Sequence, residues 1–428
     1  MWEVQNGLWG PDGGLDSLGN PVADISTATR ITYELCLRAC GSGPEAFNWA
    51  SFSQQFSAWQ LPWLALIPAL PFGARQRHEN FVAIILTVGS PTLAAYSVIL
   101  TVMNNQWLHR RFRNIRYPNR LHAVRILNSL QQSPLRIMAN ESLLSSLVVL
   151  TENDAWWADL ADGLGHPHSW SLATAASIGW VIIAYVFTVV GAFGTQSWSE
   201  VQARIGLNGQ SVGSAWLWLL AIVIAWLWIS PQSNHKQIHR AVNRANEHSY
   251  VATEQGVLKA SQVTEHRAIS LATYDDRSPA RDQECSPPIF NYARFLPWTQ
   301  AVEEVRATFY CASKNAVARR AVDPNVPWTD GDVAAIKPEY RIGTTEQVDA
   351  YCQRPDYVRR SHWGPSVVSR FIVASLVALS LQWGTAGAAA LFAYYTPTRG
   401  MFVALAPLAS CVITPVVRQV SVVGRVHS

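Results

Sequence analysis

Hydrophobic and polar positions fall into long blocks along this chain, and the blocks come before any short alternation. Six apolar runs stand out: Ala58–Ala74, Phe81–Met103, Ser171–Phe193, Ser211–Ile229, Phe371–Tyr395 and Met401–Val417. A helix that crosses bilayer hydrocarbon needs about 20 mostly apolar residues. The runs beginning at Phe81, Ser171, Ser211 and Phe371 meet that need. Ala58–Ala74 is short and holds Pro62, Pro68 and Pro71, so it either crosses or dips and returns. Met401–Val417 is short and holds Pro407 and Pro415. The pattern predicts an all-α polytopic membrane protein of about six transmembrane helices, within a range of about five to seven. In the fourth run, Trp216 and Trp218 at one end and Trp226 and Trp228 at the other stand where a paired aromatic belt would put them.

Two hydrophilic stretches separate the runs. The first opens MNNQWLHRRFRNIRYPNR, continues with Leu121, Val124, Leu127 and Leu130 at helical spacing, and ends in the acidic ENDAWWADLADG. It reads equally as an amphipathic helix lying on the membrane or on other helices and as an ordinary soluble helical hairpin. In the second stretch, TQAVEEVRATFYCASKNAV starts just after Pro297 and sets Val302, Val305, Phe309 and Ala312 on one helix face. The preceding HRAISLATYDDRSPARDQECSPP reads as a flexible linker. The expected organisation is a polar segment 1–55, two hydrophobic segments in 56–103, a basic amphipathic loop 104–170 and a transmembrane hairpin 171–230. A large hydrophilic loop 231–366, a transmembrane pair 367–417 and a basic tail 418–428 follow.

Composition agrees with a membrane reading, since 49% of residues are hydrophobic and 14% charged, where soluble chains carry about 25% charged residues. The 19 tryptophans fit a lipid–water boundary. The first residues show no basic region followed by an apolar core, so a cleaved secretory signal is not expected. Net charge is only +4, so basic behaviour must be local. Lys- and Arg-rich loops stay cytosolic. Arg110, Arg111, Arg113, Arg116 and Arg120 therefore set the topology, with Lys236, Arg240, Arg244, Arg359, Arg360 and Arg370 voting the same way and Arg75 and Arg77 dissenting. Both hydrophilic stretches are then cytosolic, the arginines touch anionic headgroups, and the sequon Asn140-Glu141-Ser142 carries no glycan. Expected partners are the lipid bilayer and a cytosolic protein bound through 231–366. Nucleic acid is not expected, because no stacking platform surrounds the arginines. Localisation follows as multi-pass membrane.

Chemistry is sparse. Gly209-Gln210-Ser211-Val212-Gly213 matches a nucleophile elbow without the strand that should precede it. His235 and His239 have metal-ligand spacing without a third ligand, and Glu152, Asp154, Asp159 and Asp162 read as a solvated acidic face. Cys36 and Cys40 bridge only if the amino terminus lies outside the cytosol. No catalytic residue, metal or cofactor is expected. The candidate site is a broken helix: Gly89, Ser90 and Pro91 interrupt an apolar run, and Pro91 frees the carbonyl of Thr87 for the hydroxyls of Thr87, Ser90, Thr92 and Tyr96 to satisfy. The small residues from Gly384 to Ala390 offer a face for close helix packing.

The stretches CGSGPEAFNWASFSQQFSAWQLPWLALIPALPFGA, LTVGSPTLAAYSVILT, LVVLTENDAWWADL and WLWLLAIVIAWLWISPQ together resemble a group of uncharacterised multi-pass membrane proteins of filamentous fungi. The resemblance spans most of 30–400 and implies no reaction, cofactor or site residue. Relatives in that group continue differently after Tyr394-Tyr395-Thr396-Pro397-Thr398, which makes the ending from Met401 atypical. The expected role is a non-catalytic integral membrane protein that binds partners or organises membrane. The alternative is a channel or facilitative transporter whose path passes the Gly89-Ser90-Pro91 break.

Overall fold

A computed structural model describes parts of 5–57 and, within 60–395, every residue except 75, 139–141, 166–170, 195–214, 230, 233, 272–284, 286, 330–335 and 354–363. In chain order come β1 (Gly14–Leu15), β2 (Arg30–Ile31), α1 (Tyr33–Cys40), α2 (Leu61–Leu64), α3 (Arg77–Gly89), α4 (Pro91–Phe112), α5 (Arg120–Ser129), β3 (Leu135–Ile137), α6 (Leu143–Val149) and α7 (Asp154–Gly163). They are followed by α8 (Leu172–Gly194), α9 (Leu217–Ile229), α10 (His235–Glu247), β4 (Tyr250–Thr253), β5 (Gly256–Lys259), α11 (Ala260–Val263), β6 (Ile269–Leu271), α12 (Asn291–Val317), α13 (Thr345–Cys352) and α14 (Pro365–Tyr395). The chain divides into two compact units, one of 1–69, 170–223 and 380–428, the other of 70–169 and 224–379.

The expectation of six crossings is overturned. Among the described residues one helix, Pro365–Leu391, is long and apolar enough to cross a membrane, or two if the pair α3 and α4 is counted as one broken span. The reasons differ from run to run. Ala58–Ala74 makes no continuous helix: its prolines leave the four-residue α2 and a 3₁₀ turn at Ile67–Ala69. Phe81–Met103 is split, because the residue before a proline is pushed out of the α region. Ser90 accordingly sits at φ −136°, ψ 82°, and the axes of α3 and α4 diverge by 103°. The described apolar lengths Leu172–Phe187 in α8 and Leu217–Ile229 in α9 are shorter than a crossing requires. Met401–Val417, Asn140 and the Gly209–Gly213 motif lie outside the described residues.

In the second unit, the two stretches expected as separate cytosolic loops share one hydrophobic core. Val124, Leu127 and Leu130 of the first are buried together with Val302, Val305, Phe309 and Ala312 of the second. The helix expected just after Pro297 begins earlier, at Asn291, and carries Pro297 inside it. Within the expected linker, Ile269–Leu271 forms β6 and pairs antiparallel with β3, Leu135 opposite Leu271. A capping box between Thr344 and Gln347 starts α13. The centre of the core is aromatic. The ring of Phe309 meets Trp157 at 5.3 Å, Phe112 at 6.2 Å and Tyr117 at 6.3 Å, all edge-on. Trp156, Trp157 and Trp298 are fully buried and each indole N–H finds an acceptor, respectively Asn246 Oδ1 and the carbonyls of Leu147 and Leu127. These three tryptophans are core residues, not belt residues.

In the first unit β1 pairs with β2, and the ring of Trp63 in α2 lies 6.4 Å from Tyr185 of α8. Trp180, Ile182, Ile183, Val186 and Phe187 of α8 are exposed.

Candidate functional site

Polar groups buried in the second unit gather in a seam where α4, the 3₁₀ turn Leu130–Gln132, α12 and the start of α14 meet. Thr101 Oγ1 donates to the carbonyl of Ser97 at 2.8 Å and accepts from Gln132 Nε2 at 3.0 Å and from Asn291 Nδ2 at 2.9 Å. The Ser97 hydroxyl donates to the Pro288 carbonyl. Arg294, buried, donates to Gln132 Oε1 at 3.5 Å and to the Pro287 carbonyl at 2.9 Å.

Arg370 closes the seam from α14. Its guanidinium donates to Asn104 Oδ1 at 2.6 Å, to the Ser366 carbonyl at 3.1 Å and to Thr299 Oγ1 at 3.4 Å. The rings of Trp107 and Phe295 lie 4.1 and 4.8 Å from it. Among the described residues no carboxylate pairs with it. A guanidinium tolerates this surrounding because it is planar and weakly hydrated and stacks on aromatic faces, a contact worth about 2 kcal/mol when water is excluded. As a topology-marking charge Arg370 is expected at the cytosolic surface; it is instead buried.

A second cation holds the far side of the core. Arg341 is 2% exposed, yet its N–H groups reach Asp154 Oδ1 and Oδ2 at 2.7 Å each and the carbonyls of Val149 and Leu150 at 2.7 and 3.2 Å. Asn119, held at φ 62°, donates to the same carboxylate. Asparagine is among the few residues that tolerate this left-handed backbone. Burial pulls the Arg341 pKa down, but the Asp154 hydrogen bonds and the Tyr117 neighbour outweigh it and the net shift is upward. Burial pushes the Tyr117 phenol up, opposed by Arg341. No local sequence signal pairs Asp154 with Arg341, and Asp154 had been read as one of four solvated acids. Glu152, Asp159 and Asp162 are indeed exposed.

The topology-setting arginines divide by role. Arg111 pairs with Glu303 at 3.0 Å, the Arg116 amide donates to Ser313 Oγ at 2.9 Å, and Arg120 donates to the carbonyls of Arg113 and Ile115. Arg110, Arg113 and Arg116 are exposed.

The broken-helix residues form a corner. Thr87 Oγ1 donates to the Ala83 carbonyl at 2.6 Å, and Ser90 caps α4 by accepting from the Leu93 amide at 3.4 Å. Pro91 fills the first turn of α4, where no N–H is needed. Thr92 is buried, and the Tyr96 ring meets Phe371 edge-on at 6.0 Å. A Cβ at Gly89 meets nothing within 4 Å. The cavity beside Thr87, roofed by Leu70, Phe72 and Pro288, holds about 10 Å³, the space of roughly one water. In the small-residue stretch of α14 a Cβ at Gly384 or Gly387 likewise meets nothing within 4 Å, whereas Ala389 is buried. The rings of His235 and His239 stand 4.4 Å apart, and among the described residues no three His, Cys, Asp or Glu side chains gather as a metal site.

No family model, no curated protein and no solved structure matches this chain.

Proposed function

We propose that this is a non-catalytic, membrane-anchored interaction protein in which α14 is the anchor and the helical unit of 70–169 and 224–379 is the binding body. The observation that carries the reading is the inverted polarity of α14. Val367, Arg370, Ala374 and Ala378 face inward, whereas Ile372, Val373, Leu376 and Val377 face outward. A helix on a water-soluble protein presents its apolar stripe to the core. Here the polar and small residues are inside and the large apolar ones outside, the arrangement that hydrocarbon stabilises. α3 repeats it, with Glu79, Ala83 and Thr87 buried and Phe81, Val82 and Ile85 exposed. Exposed apolar surface of this extent marks a membrane or a partner. A structural role for the seam is supported by its hydrogen bonds, most of which run to carbonyls or from one side chain to another. Residues 231–366 share a core with 104–164, so any partner is bound by the composite unit.

Alkaline carbonate washing of membranes from cells producing the full chain tests the anchor. The protein is expected in the pellet and released only by detergent; recovery in the carbonate supernatant refutes the reading.

A further inference from the structure

The end of α4 and the first turns of α5 enclose an open groove of about 480 Å³, lined by His109, Arg113, Arg120, Leu121, Val124 and Arg125, with no Asp or Glu among its walls. Arg120 is committed to the carbonyls of Arg113 and Ile115 at 3.2 and 3.0 Å and so shapes the wall. Arg113 and Arg125 are exposed, and among the described residues neither is paired. Two fixed positive charges thus face a cleft that supplies no counter-charge. Phosphate oxygens match guanidinium forks in geometry and charge.

Two further observations select the source of the phosphate. Leu121 stands at the groove 67% exposed beside the arginines, which suits a ligand with an apolar part. No exposed Phe, Tyr or Trp lines the groove, since Phe112 is 1% exposed; His109 is its one exposed ring, short of the successive aromatic platforms that bind single strands. Arg370, in the first turns of α14, grips Asn104 and Trp107. Arg113 lies six residues beyond Trp107, about 9 Å along the helix axis.

We propose that the groove formed by Arg113, Arg125 and Leu121 binds the phosphorylated headgroup of an anionic membrane lipid. This rests on α14 as the anchor and names the lipid class that the anchored unit reads.

The test uses the full chain in neutral detergent with a short-chain phosphatidylinositol monophosphate as probe, and short-chain phosphatidylcholine, inositol bisphosphate and a single-stranded RNA as comparisons. The chain is expected to bind the phosphoinositide and not phosphatidylcholine. Arg113→Gln with Arg125→Gln weakens binding about thirtyfold, at roughly one exposed cation's contribution each. Both side chains are exposed, so the thermal melt is unchanged. Arg110→Gln, exposed and outside the groove, binds as the parent does. Binding by the double variant equal to the parent's overturns the proposal, and so does inositol bisphosphate or RNA binding as tightly as the lipid. The two readings fail separately. A chain retained by carbonate-washed membranes but indifferent to the phosphoinositide loses the groove and keeps the anchor, and a chain released by carbonate that binds it through Arg113 and Arg125 does the reverse.

Discussion

Replacing Arg341 with methionine keeps the buried stem and deletes the guanidinium. Four hydrogen bonds vanish: two to Asp154 and one each to the carbonyls of Val149 and Leu150. Both carbonyls lie in the core; that of Val149 loses the Arg341 donor at about 1–3 kcal/mol, while that of Leu150 keeps the Asn153 N–H at 3.3 Å. Adding the charged bonds to a half-exposed carboxylate gives a loss of about 4 kcal/mol. For a unit of this size that lowers Tm by roughly 8–16 °C. Asp154→Asn is milder, about 1 kcal/mol, because the Asp154 side chain is 42% exposed and water replaces what it loses. The assay is urea unfolding followed by the fluorescence of the buried Trp156 and Trp157, on the two single variants and the double. The double variant is expected to match Arg341→Met within about 0.5 kcal/mol, since the one partner left to position 154, the Asn119 amide, is accepted by an amide oxygen as by a carboxylate. A loss at Arg341→Met below about 1 kcal/mol, or a larger loss at Asp154→Asn than at Arg341→Met, refutes the view that Arg341 acts by saturating buried carbonyls.

Stability should also fall in alkali. Burial pushes the Cys352 thiol above its ordinary 9.0 and the Tyr117 and Tyr351 phenols above their ordinary 10.0. The unfolded chain therefore ionises first, so the stabilisation is complete below about pH 9 and declines as pH rises, by up to about 1.4 kcal/mol per pH unit per group. Cys352→Ala should move the onset from about pH 9 to about pH 10 in urea midpoints measured across that range; an unchanged onset argues against the thiol. Phe309→Ala removes a side chain that is 0% exposed and touches three rings, and should cost about 4 kcal/mol. Tyr310→Ala on the outer face of the same helix, 49% exposed, should cost under about 1 kcal/mol in the same melts.

What could be read from residue order was what spacing encodes. The faces Val302–Val305–Phe309–Ala312 and Val124–Leu127–Leu130 were visible because helical period forces them to one side, and the core indeed lies there. The topology was misread because a buried core helix and a bilayer helix use the same residues. Ala94, Ala95, Val98 and Leu100 of α4 are apolar because protein covers them. Periodicity does not name the covering medium. Proline was recognised as an interruption at Pro91, but whether it bends a helix or ends one depends on where Ser90 and the next turn are held by tertiary packing. The pairing of Asp154 with Arg341 and of Asn104 with Arg370 spans 187 and 266 positions. No local rule reaches that far.

The Asp154–Arg341 bracket has a consequence for biogenesis. Its two halves leave the ribosome 187 residues apart, roughly 10–40 s at ordinary elongation rates. For most of that interval, until Phe309 is made, the nascent α7 carries Trp156 and Trp157 with no Phe309 to close over them. Aromatic surface left open for that long is where the unfinished chain is most exposed to aggregation.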